Sequence, residues 1–192
     1  MTTRRSIFRG AALATLGLAL LGSAPAFAQK VKLATSAGDI VIELDAAKAP
    51  KSVENFLAYV KAGHYDGTVF HRVIANFMIQ GGGMTPDLKE KPTRAPITLE
   101  ARNGLNNDKS TVAMARTNAP NSATAQFFIN LKDNDFLNAA ASRDGNGYAV
   151  FGKVTSGMDV VEKIRAVPTG NKGPFENVPL ESVIIKQATL EK

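Results

Sequence analysis

His64 and His71 are the only histidines in a chain of 192 residues that has no cysteine. A metal held by them would need carboxylate co-ligands, and no ligand-spacing motif surrounds either one. Gly81-Gly82-Gly83 follows an apolar segment, but no Lys-Ser or Lys-Thr pair comes after it and the spacing is not G-x-G-x-x-G. No G-x-S-x-G elbow is present to anchor a serine hydrolase. A metal site stays possible but has no spacing motif behind it, and neither a P-loop nor a serine-hydrolase elbow is present. Other side chains capable of polar or apolar contact include Arg72 and Gln80 near Phe77 and Met78, then Gln126, Phe128 and Leu137 further on. Taken singly, the four apolar residues read as core, the glutamines as surface amides and Arg72 as an ion-pair partner. Only their joint pattern argues for a site.

The elements that must position these residues belong to one domain. With 44% hydrophobic and 21% charged residues, the chain has the composition of a globular protein long enough to bury its own core. Arg4, Arg5 and Arg9 account for three of 23 basic residues, and all 17 acidic residues lie beyond residue 28; the remaining 20 against 17 leave +3 out of a total of +6. That balance is mild and its Lys and Arg are scattered, so no nucleic-acid partner is indicated. Residues 1–28 read as a cleavable signal: Arg4-Arg5, an uncharged apolar run from Ala11 to Leu21, then Ala26-Phe27-Ala28 before a mature start near Gln29. The apolar run is too short to span a bilayer, so no membrane insertion is expected after cleavage. Thr3 to Phe8 resembles a twin-arginine signal with its Phe one place late, which leaves the Sec and Tat routes both open. A periplasmic or secreted protein is expected, and a monomer; absence of cysteine fits an oxidising compartment.

Beyond the leader, residues 31–35 and 40–44 alternate apolar and polar, with Ser36 to Asp39 as a hairpin turn. Pro50 opens a helix whose apolar face is Val53, Phe56, Leu57 and Val60, and Gly63 stops it. Val69–Val73 and Phe77–Gln80 read as strands broken at Ala75-Asn76. Gly81 to Lys109 reads as loop with a brief strand at Ile97–Leu99. Strands follow at Thr111–Ala115, Phe127–Leu131 and Tyr148–Val154, then a short helix at Gly157–Ile164 and a closing strand at Ser182–Leu190. Many short strands with two helices predict a closed or nearly closed antiparallel barrel.

Three segments carry a more specific signal. They are FHRVIANFMIQGG from Phe70 to Gly82; Met114 to Thr117 followed by SATAQFFI from Ser122 to Ile129; and Phe136-Leu137 with YAVFGKV from Tyr148 to Val154. In content, order and spacing these resemble the cyclophilin signature, and with the flanking elements the resemblance covers residues 30–190. It implies residues 29–192 as a peptidyl-prolyl isomerase domain: a closed eight-stranded antiparallel β-barrel capped by two α-helices, with a peptide groove on its outer face. It implies isomerisation of the amide before proline in polypeptide substrates, with neither cofactor nor metal and no covalent intermediate. Arg72 matches the family's catalytic arginine. Phe77, Met78 and Phe128 match the walls of the proline pocket, closed on one side by Leu137. Gln80 matches the glutamine that binds substrate backbone and helps hold the arginine. Ala115, Arg116 and Thr117 match the segment whose main chain pairs with substrate, so the Arg116 side chain is free to vary, and Gln126 lines the groove.

Two positions depart from the common pattern. Phe136 stands where many members have tryptophan, and Tyr148 where a groove histidine often follows, as in short bacterial cyclophilins. The lost indole N–H implies weak cyclosporin binding, with catalysis retained because neither position touches the rotating bond. His71 reads as structural, since this chemistry needs no general base. The competing reading is a groove that captures or holds proline-containing segments with isomerisation incidental, against which Arg72 argues, since a pure binder would not need that donor. A structural barrel with a decayed site is the weakest reading, given the intact set of Arg72, Phe77, Met78, Gln80 and Phe128.

Overall fold

The structure, a computed structural model, describes residues 29–191. The signal-peptide reading of residues 1–28 lies outside them. Strands β1 (Lys30–Thr35) and β2 (Gly38–Leu44) form the first hairpin, turning on Ser36-Ala37. Thr35 Oγ1 donates to the Gly38 carbonyl at 2.6 Å and accepts from the Ala37 N–H at 3.1 Å, which pins the turn. Gly38 has φ 131°, and a Cβ there would lie 2.7 Å from Val160 Cγ2 on the covering helix, so only glycine serves. Helix α1 (Pro50–Lys61) buries Val53, Phe56, Leu57 and Val60 on the expected face. Its N-terminus has no cap of its own; the Glu100 carboxylate instead accepts the Lys51 and Ser52 N–H groups and the Ser52 hydroxyl at 2.8–3.0 Å.

The chain continues through β3 (Thr68–Ile74), β4 (Met78–Gly81), β5 (Thr111–Met114), β6 (Phe127–Asn130), β7 (Val150–Ser156), α2 (Met158–Arg165), β8 (Thr169–Lys172), β9 (Phe175–Pro179) and β10 (Ile184–Leu190). Eight strands close in the order β1-β10-β3-β4-β6-β5-β7-β2, every pairing antiparallel. This is the expected barrel with its two helices. Its interior holds Leu33, Ile40, Ile42, Phe70, Ile79, Val112, Phe127 and Ile129, with Phe56 of α1 edge-on to Phe127 at 5.5 Å.

Three details differ from the sequence reading. Ile97–Leu99 is no strand: Ile97 makes a single bridge to Ala123, too little pairing to extend. Phe77 precedes β4 in the turn that follows Ile74. A separate hairpin of β8 and β9 lies outside the barrel and packs on β3; its residues are too polar to give a strand signal.

Candidate active site

Strand alternation alone would put Arg72 inside the barrel, because Phe70, two residues earlier, is a core residue. The pairing of β3 with β4 prevents this. Phe70 lies opposite Gly81 and Arg72 opposite Gln80, so His71 is one extra residue, a bulge. The inserted residue reverses the phase, and beyond it Val73 points inward while Arg72 and Ile74 point outward. The row continues across the outer face: Gln80 lies opposite Phe128, and Phe128 opposite Ala113. An arginine, a glutamine, an aromatic ring and a small residue thus stand side by side on adjacent strands.

Arg72 is half-buried, and among the described residues it makes no side-chain hydrogen bond or ion pair. The sequence reading had Gln80 helping to hold it. The structure differs: the Gln80 amide donates to Gln126 Oε1 at 2.8 Å, and no hydrogen bond joins it to the guanidinium. Beside this polar pair lies an apolar cluster outside the barrel. Met78, Ala113, Phe128, Leu137 and Val150 are buried in it, and Ile74, Phe77, Leu105, Ala115 and Tyr148 pack against it. Phe136 is 54% exposed at the rim, its ring 5.5 Å from that of Phe77. Ala115 pairs through its N–H with the Gln126 carbonyl at 3.0 Å, and the exposed Thr117 is tied to the Ser122 hydroxyl at 2.9 Å. Arg72, Phe77, Met78, Gln80, Ala115, Gln126, Phe128, Leu137 and Tyr148 therefore gather on one outer face.

The sequence reading missed what lies beneath them. Asn107, Asn130 and Asn134 are fully buried. Asn134 Nδ2 donates to the Phe77 carbonyl at 3.0 Å and to Asn130 Oδ1 at 2.8 Å, and the Asn134 carbonyl accepts the Leu137 N–H at 2.8 Å. Asn130 Nδ2 donates to Asn107 Oδ1 at 3.2 Å, and Asn107 Nδ2 reaches the Tyr148 carbonyl at 3.3 Å. One ladder of amides thus ties down the backbone of Phe77, Leu137 and Tyr148. The one hint in the sequence is Asn130, a polar residue closing the apolar run Phe127-Phe128-Ile129. His71, by contrast, faces away from the groove, against Pro86, Leu88 and the β8–β9 hairpin. Its Nδ1 is buried without a partner among the described residues, and burial holds its pKa down at about 4.

The outer wall of the barrel thus carries a guanidinium with no side-chain partner among the described residues, the Gln80–Gln126 amide pair, and an apolar cluster that includes Met78, Phe128 and Leu137. The family model for cyclophilin-type peptidyl-prolyl cis-trans isomerases matches residues 30–190. The chain is 63% identical over 161 residues to peptidyl-prolyl cis-trans isomerase cyp18 of Streptomyces antibioticus, covering 83% of this chain and 97% of that one. It is 56% identical over 159 residues to peptidyl-prolyl cis-trans isomerase B of Escherichia coli K12, covering 82% and 97%. A crystal structure of a cyclophilin-type isomerase from Cryptosporidium parvum superposes with a TM-score of 0.75 at 29% identity, covering 86% and 99%. The chain belongs to the cyclophilin family and is a peptidyl-prolyl cis-trans isomerase.

Proposed function

We propose that Arg72 is the catalytic group of this isomerase, that Phe77, Met78, Phe128 and Leu137 hold the proline ring, and that the substrates are X-Pro segments of exported polypeptides. Rotation about the amide is opposed by resonance, about 18–20 kcal/mol, which sets uncatalysed X-Pro exchange at tens to hundreds of seconds. In the twisted transition state the prolyl nitrogen becomes pyramidal and recovers its lone pair. A guanidinium donates to that nitrogen only then, since the planar amide nitrogen is a poor acceptor; the bond is differential and so catalytic. A hydrogen bond from a charged donor contributes about 1.5–3 kcal/mol, on the order of 10–100-fold in rate. The apolar pocket adds to this by disfavouring the charge-separated planar amide relative to the less polar twisted form. Gln80, held by Gln126, and the main chain of 115–117 bind the substrate backbone.

The observation that supports this reading is the half-buried Arg72, carried outward by the bulge, its side chain without a hydrogen-bond or ion-pair partner among the described residues and beside an apolar cluster. A groove that only captured peptides would have no use for such a donor. The export of the substrates rests on the residues 1–28 read as a signal. The test compares the native protein with Arg72→Ala on a proline-limited refolding client. Loss of the catalysed slow phase with unchanged peptide binding supports the reading. An unchanged refolding rate with suppressed aggregation favours a holdase. Cell fractionation with sequencing of the mature N-terminus tests export: an uncleaved, cytoplasmic chain overturns that part.

A further inference from the structure

We propose that the Arg116 side chain is a positioning residue, a latch that fastens the 138–148 segment to the strand end at Ala115 and so holds Tyr148 against Phe128 in the pocket. The inference rests on the pocket reading above and concerns a side chain which the family pattern leaves free to vary. Arg116 is far from idle: its side chain is 3% exposed. Nε donates to the Gly147 carbonyl at 2.8 Å, Nη1 to the Thr117 carbonyl at 2.9 Å and Nη2 to Asp144 Oδ2 at 2.5 Å. The guanidinium carbon also sits 4.6 Å from the centre of the Tyr148 ring. A guanidinium buried this far must have its donors matched, and its planar fork meets a carbonyl, a carboxylate and a ring face together.

What it fastens reaches the pocket directly. The Tyr148 N–H donates to the Leu137 carbonyl at 2.9 Å, and the Tyr148 ring meets Phe128 edge-on at 5.6 Å. Asp144 is itself fixed by the Asn146 N–H at 3.0 Å and the Gly147 N–H at 3.4 Å. Those bonds, with the Arg116 bond, hold its carboxyl well below the usual range. Gly147 (φ 69°) lies so close to Ala139 that a Cβ would stand 2.5 Å from its nitrogen. Releasing Arg116 frees a segment that otherwise stands ready for substrate, and ordering it then opposes binding.

The test measures KM and kcat for an Ala-Pro tetrapeptide, the Kd of the same peptide by NMR titration, and the backbone order of Tyr148. It uses Arg116→Ala, Arg116→Lys, Asp144→Asn and the Ala/Asn double variant. In Arg116→Ala, KM and Kd rise about five- to tenfold, kcat changes less than about twofold and Tyr148 loses order. Arg116→Lys restores less than half of the loss, because an ammonium lacks the fork. The double variant is no worse than Arg116→Ala alone. KM and Kd within about twofold of native in Arg116→Ala, or additive losses in the double variant, would overturn the latch. If the native protein binds the peptide without isomerising it, the catalytic reading of Arg72 falls and Kd alone judges the latch.

Discussion

Arg72 and Gln80 face each other across β3 and β4, and they share the outer face of the barrel only because His71 is inserted between Phe70 and Arg72. The two side chains do not bond to each other. Gln80 is drawn aside by Gln126, and the guanidinium is left with its donors available to whatever enters the groove. A strand bulge and one amide pair thus leave the guanidinium on the outer face with no side-chain partner among the described residues.

The Gln80–Gln126 pair is tested by Gly83→Ala, at a residue that lines the same cavity as Gln80, Ala115 and Gln126. Gly83 does not have a positive φ, so its backbone accepts alanine, but the new Cβ would stand 2.4 Å from Gln126 Cγ. Gln126 must move and the bond to Gln80 breaks. KM rises about three- to tenfold, for a lost hydrogen bond of about 1 kcal/mol, while kcat changes little. Steady-state kinetics with a proline tetrapeptide check this.

Acid acts through His71. Burial is the main cause of its lowered pKa, with the neighbouring Arg72 charge adding and the Val69 backbone opposing. Because the folded state binds this proton less well than the unfolded state, His71 weakens the fold as pH falls from 6.5 to about 4, and adds no further loss below that. The lowering corresponds to about 3 kcal/mol. Urea unfolding between pH 7 and 4 measures the slope, and His71→Gln flattens it.

Asn134→Ala removes the donor to the Phe77 carbonyl and leaves Asn130 Oδ1 without its Asn134 partner. The expected cost is about 1–3 kcal/mol in urea unfolding. Because the Phe77 carbonyl loses its anchor, KM rises as well, although the Leu137 N–H keeps the backbone carbonyl of residue 134. A loss of stability with KM unchanged would detach the ladder from the pocket.

Cyclosporin titration tests the rim. Phe136 carries no N–H donor, and the ring stands exposed beside Phe77. Inhibition is expected to be weak, and nanomolar inhibition would contradict the expectation.

Most of the barrel was legible in the sequence because its strands alternate cleanly: Val31 and Leu33, then Ile40, Ile42 and Leu44, all face the core. That Phe77, Met78, Phe128 and Leu137 belong together was legible through the order and spacing of the segments that carry them, and they share one apolar cluster. The bulge at His71 was not, because a one-residue phase change shows only in the pairing with β4. Neither was the asparagine ladder, whose members Asn107, Asn130 and Asn134 meet only after folding. Arg116 was read as a main-chain position, because its partners Asp144 and Gly147 lie some thirty residues away in a loop. The β8–β9 hairpin has a polar sequence that carries no period.

The central claim is that Arg72 stabilises the twisted prolyl amide, and a protease-coupled isomerase assay on the native protein and Arg72→Ala tests it most directly. The Arg72 side chain makes no hydrogen bond or ion pair among the described residues, so the variant should fold as the native protein does. The account predicts kcat/KM lower by on the order of 10–100-fold with the melting temperature unchanged within a few degrees. A folded Arg72→Ala variant that keeps more than about half of the native kcat/KM would contradict it.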